Sequence, residues 1–335
     1  LVAKITAPRN PSRTDPVDPY LPSAGNHGYR VTRYELDLTY KMSSNNLRGE
    51  AVITATATEP LEAVHLDLSP HLEVSKVLLN GGRVAKYTRP RGKLSVTPTE
   101  PLAVGSAFTL TIRYSGNPRP IRGAWGEVGW EELTDGVLVA SQPYGAPSFY
   151  PCNDRADDKA SYRVAVTTDP EYAVVATGRP TGTSTRAGRT TWVFEEAAPT
   201  ASYLVSIVIG RLAAEPLPGS GGRVTLHRPR GRAVPPASPL LRLPAMLDAL
   251  EGWFGPYPLP DFRAVVVDEP LEIPLEAQGM ASFGTNHLVD DWDNERLVVH
   301  ELAHEWFGNK VTSGLLRDIW LHEGFACYAE WLWTE

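Results

Sequence analysis

His300-Glu301-Leu302-Ala303-His304 sets two imidazoles four residues apart with a carboxylate between them. On an α-helix, positions i and i+4 share a face with Cβ atoms about 5–6 Å apart, so both rings can meet one tetrahedral metal ion. Glu301 projects about 100° round the helix from His300, beside an open metal position rather than in it. A general base for metal-activated water would stand there. The pentapeptide alone arises by chance about once in a hundred chains of this length, so the next ligand decides its meaning. Three-ligand catalytic zinc needs one more protein donor and one position kept for water. Glu323, 19 residues past His304, would lie about 28 Å away on one continuous helix. Gly308-Asn309 supplies a helix stop, however, and Gly314 a further break. The chain can then reverse and begin a second, antiparallel helix near Leu321, with Glu323 in its first turn facing the histidines. A glutamate fixed at that place lowers the chance rate about twentyfold further. The expectation is one Zn2+ per chain, held by His300, His304 and Glu323. Glu330 follows seven residues on, along the same helix face. It can accept the second ring N–H of a ligating histidine, though the spacing suits a surface carboxylate equally well.

Holding such a cluster requires a helical region on a firm base, and the sequence changes texture accordingly. Residues 1–28, rich in Pro, Asp and Gly, read as an extended lead-in. Residues 29–214 follow the period of half-buried strands. Tyr34, Leu36, Leu38 and Tyr40 alternate with polar residues, as do Phe108, Leu110, Ile112 and Tyr114, and Tyr162, Val164 and Val166. Turns at Asn80-Gly81-Gly82, Gly116-Asn117-Pro118 and Gly188 separate them. This predicts a β-sandwich-like first domain. The Gly/Pro/Arg-rich stretch 215–236 marks a boundary, and 215–335 forms a second domain. There the periodicity predicts a helix over 240–254, with Leu243, Met246, Leu247 and Leu250 on one face. It also predicts short strands over 264–268 and 283–289, and helices over about 294–307 and 321–333. The fold class is α+β.

The 335 residues suffice for about two domains, each with its own core. A net charge of −7 argues against a nucleic-acid partner. The basic run RPRGR at 228–232 is then read as a solvated linker face. No apolar run approaches the ~18 residues of a membrane helix. The opening segment is polar and proline-punctuated, unlike a signal peptide. A cytoplasmic location is favoured, while the absence of an initial Met leaves secretion after signal removal open. The two cysteines, Cys152 and Cys327, read as buried free thiols. His27, His65, His71, His227, His287 and His322 have no ligand spacing and are taken as structural or surface residues.

HELAH, then 18 residues, then the Glu of WLHEGFA, set within HELAHEWFGN…WLHEGFACYAEW, resembles the M1 family of zinc aminopeptidases, a family that includes leukotriene A4 hydrolase. The likeness, bacterial variants included, extends over nearly the whole chain. It implies a β-rich saddle domain followed by a thermolysin-like catalytic domain, and removal of N-terminal residues from peptides. In that family a Gly-x-Met-Glu-Asn segment ahead of HExxH supplies the carboxylate that binds the substrate's free amine. Here 273–277 reads Ile-Pro-Leu-Glu-Ala, which puts Glu276 in that role with only the Glu of the motif's core retained. An alignment through Gly279-Met280 would put Ala281 there and leave no anchor. A second amine-site residue, a Gln or Glu upstream of Pro-Cys-x-Asp, corresponds to Gln142 ahead of Pro151-Cys152-Asn153-Asp154. An ammonium held between Glu276 and the Gln142 carbonyl would fix the first peptide bond over the metal, an exopeptidase arrangement.

The family's oxyanion-stabilising tyrosine lies well downstream of the third ligand, whereas this sequence runs only to Glu335. Tyr328 is too near Glu323 along the helix to replace it. The resemblance therefore implies a catalytic domain incomplete at its C-terminus, whose missing partner is the remainder of the same protein. Such a polypeptide alone would turn over poorly and associate through Phe325, Tyr328, Leu332 and Trp333. Three other readings stay open. A lipid epoxide hydrolase could use the same zinc site, and an endopeptidase would cleave amine-blocked peptides equally well. A zinc-free protein-binding relative would have lost ligands that are intact here.

Overall fold

Period-two patterning in the first half builds one large sheet of seven strands. Their spatial order is Arg179–Arg186, Arg189–Thr200, Ala160–Thr168, Tyr29–Lys41, Asn46–Ala57, Ala107–Gly116 and Leu72–Leu79. The structure is a computed structural model that describes residues 17–82, 86–124 and 126–335, so the first sixteen residues of the expected lead-in lie outside it. Tyr29–Lys41 pairs antiparallel with Asn46–Ala57, setting Leu36 opposite Ala51, and parallel with Ala160–Thr168, setting Tyr34 opposite Tyr162. Successive side chains alternate faces, so Tyr34, Leu36, Leu38 and Tyr40 all turn inward and are buried. A five-stranded sheet packs on that face, in the order Ala173–Ala176, Ile207–Gly210, Gly136–Ala140, Gly126–Leu133 and Ile121–Gly123. It contributes Trp130, Val139 and Ile209 to the same core. Its Gly136–Ala140 strand delivers the chain to Gln142.

In the second half a mixed five-stranded sheet takes the order Leu212–Pro216, Val224–Pro229, Phe262–Val266, Met280–Phe283 and Leu275–Ala277. The three middle strands are parallel and the outer ones antiparallel. Phe262–Val266 is buried at every position, as a central parallel strand covered on both faces must be. Helices α1 (Leu243–Phe254), α2 (Trp292–Ala303) and α3 (Trp320–Thr334) share one core with it. Leu243, Met246, Leu247 and Leu250 of α1 meet Val298, Val299 and Leu302 of α2 and Ala326 and Ala329 of α3 there. The result is the expected sheet-rich α+β architecture. Among the described residues no helix is long and apolar enough to cross a membrane.

Several details differ from the sequence reading. The strand expected over 283–289 is Met280–Phe283, and Thr285–Leu288 is a 3-10 turn. Gly284 causes the break: a Cβ there would meet the Leu271 nitrogen at 2.2 Å, so the chain turns where only glycine fits. Cys152 is buried as expected, but Cys327 is exposed. Trp333 is half-buried and donates its indole N–H to Glu295 at 2.9 Å, while Trp320 and Trp331 take the open positions instead.

Helix α2 has an explicit start. Asp291 accepts the Asn294 N–H at 2.8 Å, and Asp293 and Glu295 place negative charge in the first turn. It stops at Ala303, short of the predicted 307: the N–H groups of Glu305 and Trp306 reach back only three residues, to Leu302 and Ala303, and the chain then widens. The N–H groups of Asn309, Lys310 and Val311 reach back five residues to the carbonyls of His304, Glu305 and Trp306, at 2.9, 3.1 and 3.1 Å. Gly308, at φ +126°, absorbs the turn.

Candidate active site

Those wide turns bring the chain back so that Glu323, in the first turn of α3, meets the two histidines of α2. His300 Nε2 stands 3.3 Å and His304 Nε2 3.7 Å from Glu323 Oε2. The rings lie edge to face with centroids 4.7 Å apart. Each ring is also held at its other nitrogen. His300 Nδ1 donates to Glu330 Oε1 at 2.6 Å, and His304 Nδ1 donates to the Phe307 carbonyl at 3.0 Å. A carboxylate and a carbonyl only accept, so both Nδ1 atoms carry a hydrogen and both Nε2 atoms turn toward Glu323. Two imidazoles and one carboxylate, oriented this way, make a donor set that suits zinc.

The donor atoms of His300, His304 and Glu323 lie within 4.8 Å of one another. Two overlapping groups have the same spacing among the described residues: His300 with Cys327 and Glu330, and His304 with Glu276 and Glu301. In the former, His300 Nδ1 is already committed to Glu330. The latter borrows a ligand from the main cluster. The Glu323 side chain is 44% exposed against 2% for His304, so the cluster opens on the Glu323 side.

Burial would depress the His300 imidazole, but its bond to Glu323, the Glu301 charge and its bond to Glu330 outweigh this and lift its pKa to about 9. Burial likewise pushes Glu323 up, and His300, His304 and His322 override it, leaving the carboxyl below its ordinary value. A pocket that grips an added proton this firmly is electrostatically suited to a cation.

Glu301 sits behind the histidines, buried, with Oε2 lacking any hydrogen-bond partner. Burial first, and the neighbouring Glu276 carboxylate second, push its pKa well above the usual carboxylate range. Glu276 lies on the Leu275–Ala277 edge strand opposite Ala281. One of its oxygens is within 4.8 Å of donor atoms of both Glu301 and His304. Of the two registers open to the sequence, Glu276 therefore has a carboxylate beside the cluster.

Gln142 lies close by but apart. It lines a cavity of about 70 Å3 together with Tyr203, His322 and the 313–316 turn. Its Nε2 is buried without a partner, and among the described residues no hydrogen bond joins it to Glu276. His322 is buried beside the cluster, with Nε2 accepting the Ser313 N–H at 2.8 Å.

Three contributors escaped the sequence reading. The Phe307 carbonyl fixes His304, and no pattern flags a backbone atom. Tyr203, in the 3-10 turn Ser202–Leu204, buries an unpartnered hydroxyl. Burial, then the charges of Glu276 and Glu323, raise its pKa well above the ordinary value. Glu305, fully buried one residue past His304, accepts the Gly279 N–H at 3.2 Å. A carboxylate inside an apolar run was its only sequence signal.

Comparison with known proteins identifies the family. The model of the peptidase M1 N-terminal domain matches residues 31–204, and that of the peptidase family M1 domain matches residues 242–335. Human endoplasmic reticulum aminopeptidase 1 is 25% identical over 325 residues, covering 89% of this chain and 34% of that protein. Aminopeptidase 2, mitochondrial, of Saccharomyces cerevisiae is 26% identical over 324 residues, covering 90% of this chain and 32% of that protein. This chain thus spans about a third of the length of the curated relatives it matches. The crystal structure of an M1 zinc metallopeptidase from Deinococcus radiodurans superposes with a TM-score of 0.83 at 32% identity, covering 95% of this chain and 73% of that one. A mutant of that enzyme bound to a Tyr-Ser-Ala substrate gives 0.82 at 33% identity, with the same coverage. Two successive family models over most of the chain and a structural match of this extent place it in peptidase family M1.

Proposed function

We propose that this chain carries the metal-binding and amine-recognition part of a zinc aminopeptidase acting on peptides with a free N-terminus. His300, His304 and Glu323 would hold one zinc ion. The observation that carries the reading is the convergence of two Nε2 atoms on one Glu323 oxygen, with both Nδ1 atoms already engaged. The chemistry zinc supplies when bound is Lewis-acid polarisation of the scissile carbonyl and acidification of water.

The protein groups do the rest. Glu301, with its buried and unpartnered Oε2, takes the proton of the attacking water and returns it to the leaving amine. Glu276 accepts charge-assisted hydrogen bonds from the substrate's terminal ammonium, with the Gln142 amide oxygen as second acceptor. Fixing the ammonium fixes the first peptide bond beside Glu301, so the cut falls one residue in. Glu330 keeps the His300 ring in its productive tautomer.

The test is metal analysis joined to hydrolysis of aminoacyl anilides and of their N-acetylated counterparts by the full-length natural protein. Glu301→Gln is expected to keep stoichiometric zinc and lose about 10²–10⁴-fold in kcat. Blocked substrates are expected to be cleaved far more slowly than free ones. Equal turnover of blocked and free substrates would replace the aminopeptidase reading with an endopeptidase one.

A further inference from the structure

Glu276 lies on one arm of a short hairpin, and its position depends on how the bend is held. The Leu275–Ala277 and Met280–Phe283 strands meet through Gln278 and Gly279. Each peptide group around that bend is tied to a different part of the molecule. The Gln278 N–H donates to the Leu204 carbonyl of the first half at 3.0 Å. The Ala277 carbonyl accepts Asn309 Nδ2 at 3.0 Å, from the turns just beyond the two histidines. Gly279 is gripped at both ends. Its N–H donates to Glu305 Oε2 at 3.2 Å, and its carbonyl accepts the Arg263 N–H at 3.1 Å and Arg263 Nη2 at 3.4 Å. Arg263 is itself anchored by Nη1 on the Ala176 carbonyl at 2.7 Å.

The chemistry of this clamp is unusual for a loop. Glu305 is 0% exposed and Arg263 5%, and ionisable side chains are rarely this buried unless each has a defined task. Gly279 adopts φ +71°, and a Cβ there would come within 3.3 Å of Arg263 Nη2, so the bend also needs glycine. Glu305 follows His304 directly. The segment that carries His304 is therefore joined, through the Glu305 side chain, to the hairpin that presents the carboxylate.

We infer that Glu305 is a positioning residue for amine recognition: by accepting the Gly279 N–H from the segment that carries His304, it sets where the hairpin presents Glu276 to the substrate's ammonium. This rests on the aminopeptidase reading above. Glu305 touches no reacting atom. Its effect is on the distance between anchor and cluster, and a displacement of about 1 Å there can cost on the order of a hundredfold.

The experiment compares Glu305→Ala, Glu305→Leu, Glu305→Gln and Glu276→Gln in the full-length natural protein. It reads zinc content, KM and kcat on an aminoacyl anilide, and calorimetric binding of a free amino acid against its N-acetyl form. Glu305→Ala and Glu305→Leu are expected to keep zinc, raise KM about tenfold or more, change kcat less than KM, and weaken the free amino acid alone. Glu305→Gln retains an acceptor oxygen and is expected to recover most of the affinity. Leucine fills the buried volume without an acceptor, so a folded test remains if alanine does not fold. Failure of both to fold, loss of zinc with KM unchanged, or wild-type KM in either variant overturns the inference. An unchanged KM in Glu276→Gln defeats the amine-anchor reading itself. A raised KM there, with the Glu305 variants at wild-type values, defeats this inference alone.

Discussion

Glu330 of α3 and His300 of α2 are joined by a 2.6 Å hydrogen bond from Nδ1 to Oε1, across the contact between the two helices. Arg296 Nη1 approaches the other Glu330 oxygen at 3.3 Å, so the carboxylate is itself held in place. The bond commits Nδ1 to Glu330 and leaves Nε2 to face Glu323 at 3.3 Å.

Glu330→Gln is therefore expected to weaken zinc binding by about 10–100-fold. An amide can present its NH2 group to Nδ1, which would favour the opposite tautomer and occupy Nε2 with hydrogen. Competition against a chelator of known affinity measures this directly, without reference to turnover. Wild-type affinity in the variant would make Glu330 an ordinary helix carboxylate.

The cysteines separate by exposure. Cys152 is fully buried, next to Asp67 in a β-bridge, while Cys327 is exposed on α3. Burial, followed by the nearby charges of Glu330 and Glu323, raises the Cys327 thiol, so its reaction should be slow at neutral pH. A chromogenic disulfide reagent is expected to titrate one thiol in the native protein and two in denaturant. Two fast-reacting native thiols would contradict the packing around Cys152.

Much of the site was legible because it obeys helix geometry. His300, Glu301 and His304 sit at fixed offsets, and Gly308-Asn309 followed by Glu323 could be read as a reversal. Glu330 was readable only as a position on a face, since spacing cannot say that Arg296 will hold it. The hairpin clamp was not legible at all: strand pairing brings Arg263 to Gly279, and a side chain from the turns after α2 brings Glu305, neither of which local periodicity encodes. The 283–289 segment failed for a similar reason. Its apolar content suits a strand, yet contact of the Gly284 backbone with Leu271 makes it a turn. In the first half, alternation at Tyr34, Leu36 and Leu38 identified the buried face, but the parallel pairing with Tyr162 joins strands more than a hundred residues apart.

His227 predicts acid sensitivity. It lies on the Val224–Pro229 strand, where burial first and the Arg263 guanidinium second depress its pKa from 6.5 to about 4. Between those values the unfolded chain binds a proton that the native state refuses. Its contribution is fully present above about pH 6.5 and is lost as pH falls toward 4. The full effect is on the order of 3 kcal/mol. His227→Gln, neutral throughout, should flatten the acid side of a urea-unfolding stability profile. An acid limb as steep as wild type would show that His227 is protonated in the native state.

Asp154 predicts the opposite slope. Its Oδ1 accepts the Ser202 hydroxyl at 2.7 Å, and its backbone N–H donates to Asp67 Oδ2 at 3.2 Å. Burial first, and the Asp67 charge second, raise its pKa from 3.8 to about 7. Here the native state holds a proton that the unfolded chain has released. The stability tied to that proton is complete below about pH 3.8 and is lost as pH rises through 7. Asp154→Asn keeps an acceptor for Ser202 and removes the charge. Relative to wild type it should gain on the order of 4 kcal/mol at pH 8 and little at pH 4. Comparing each variant with wild type at every pH separates this effect from that of His227, which runs the other way. A constant stability difference between Asp154→Asn and wild type across that range would mean the carboxyl is ionised in the folded protein, with Lys93, 2.5 Å from Asp67, neutralising more of the buried charge than the geometry implies.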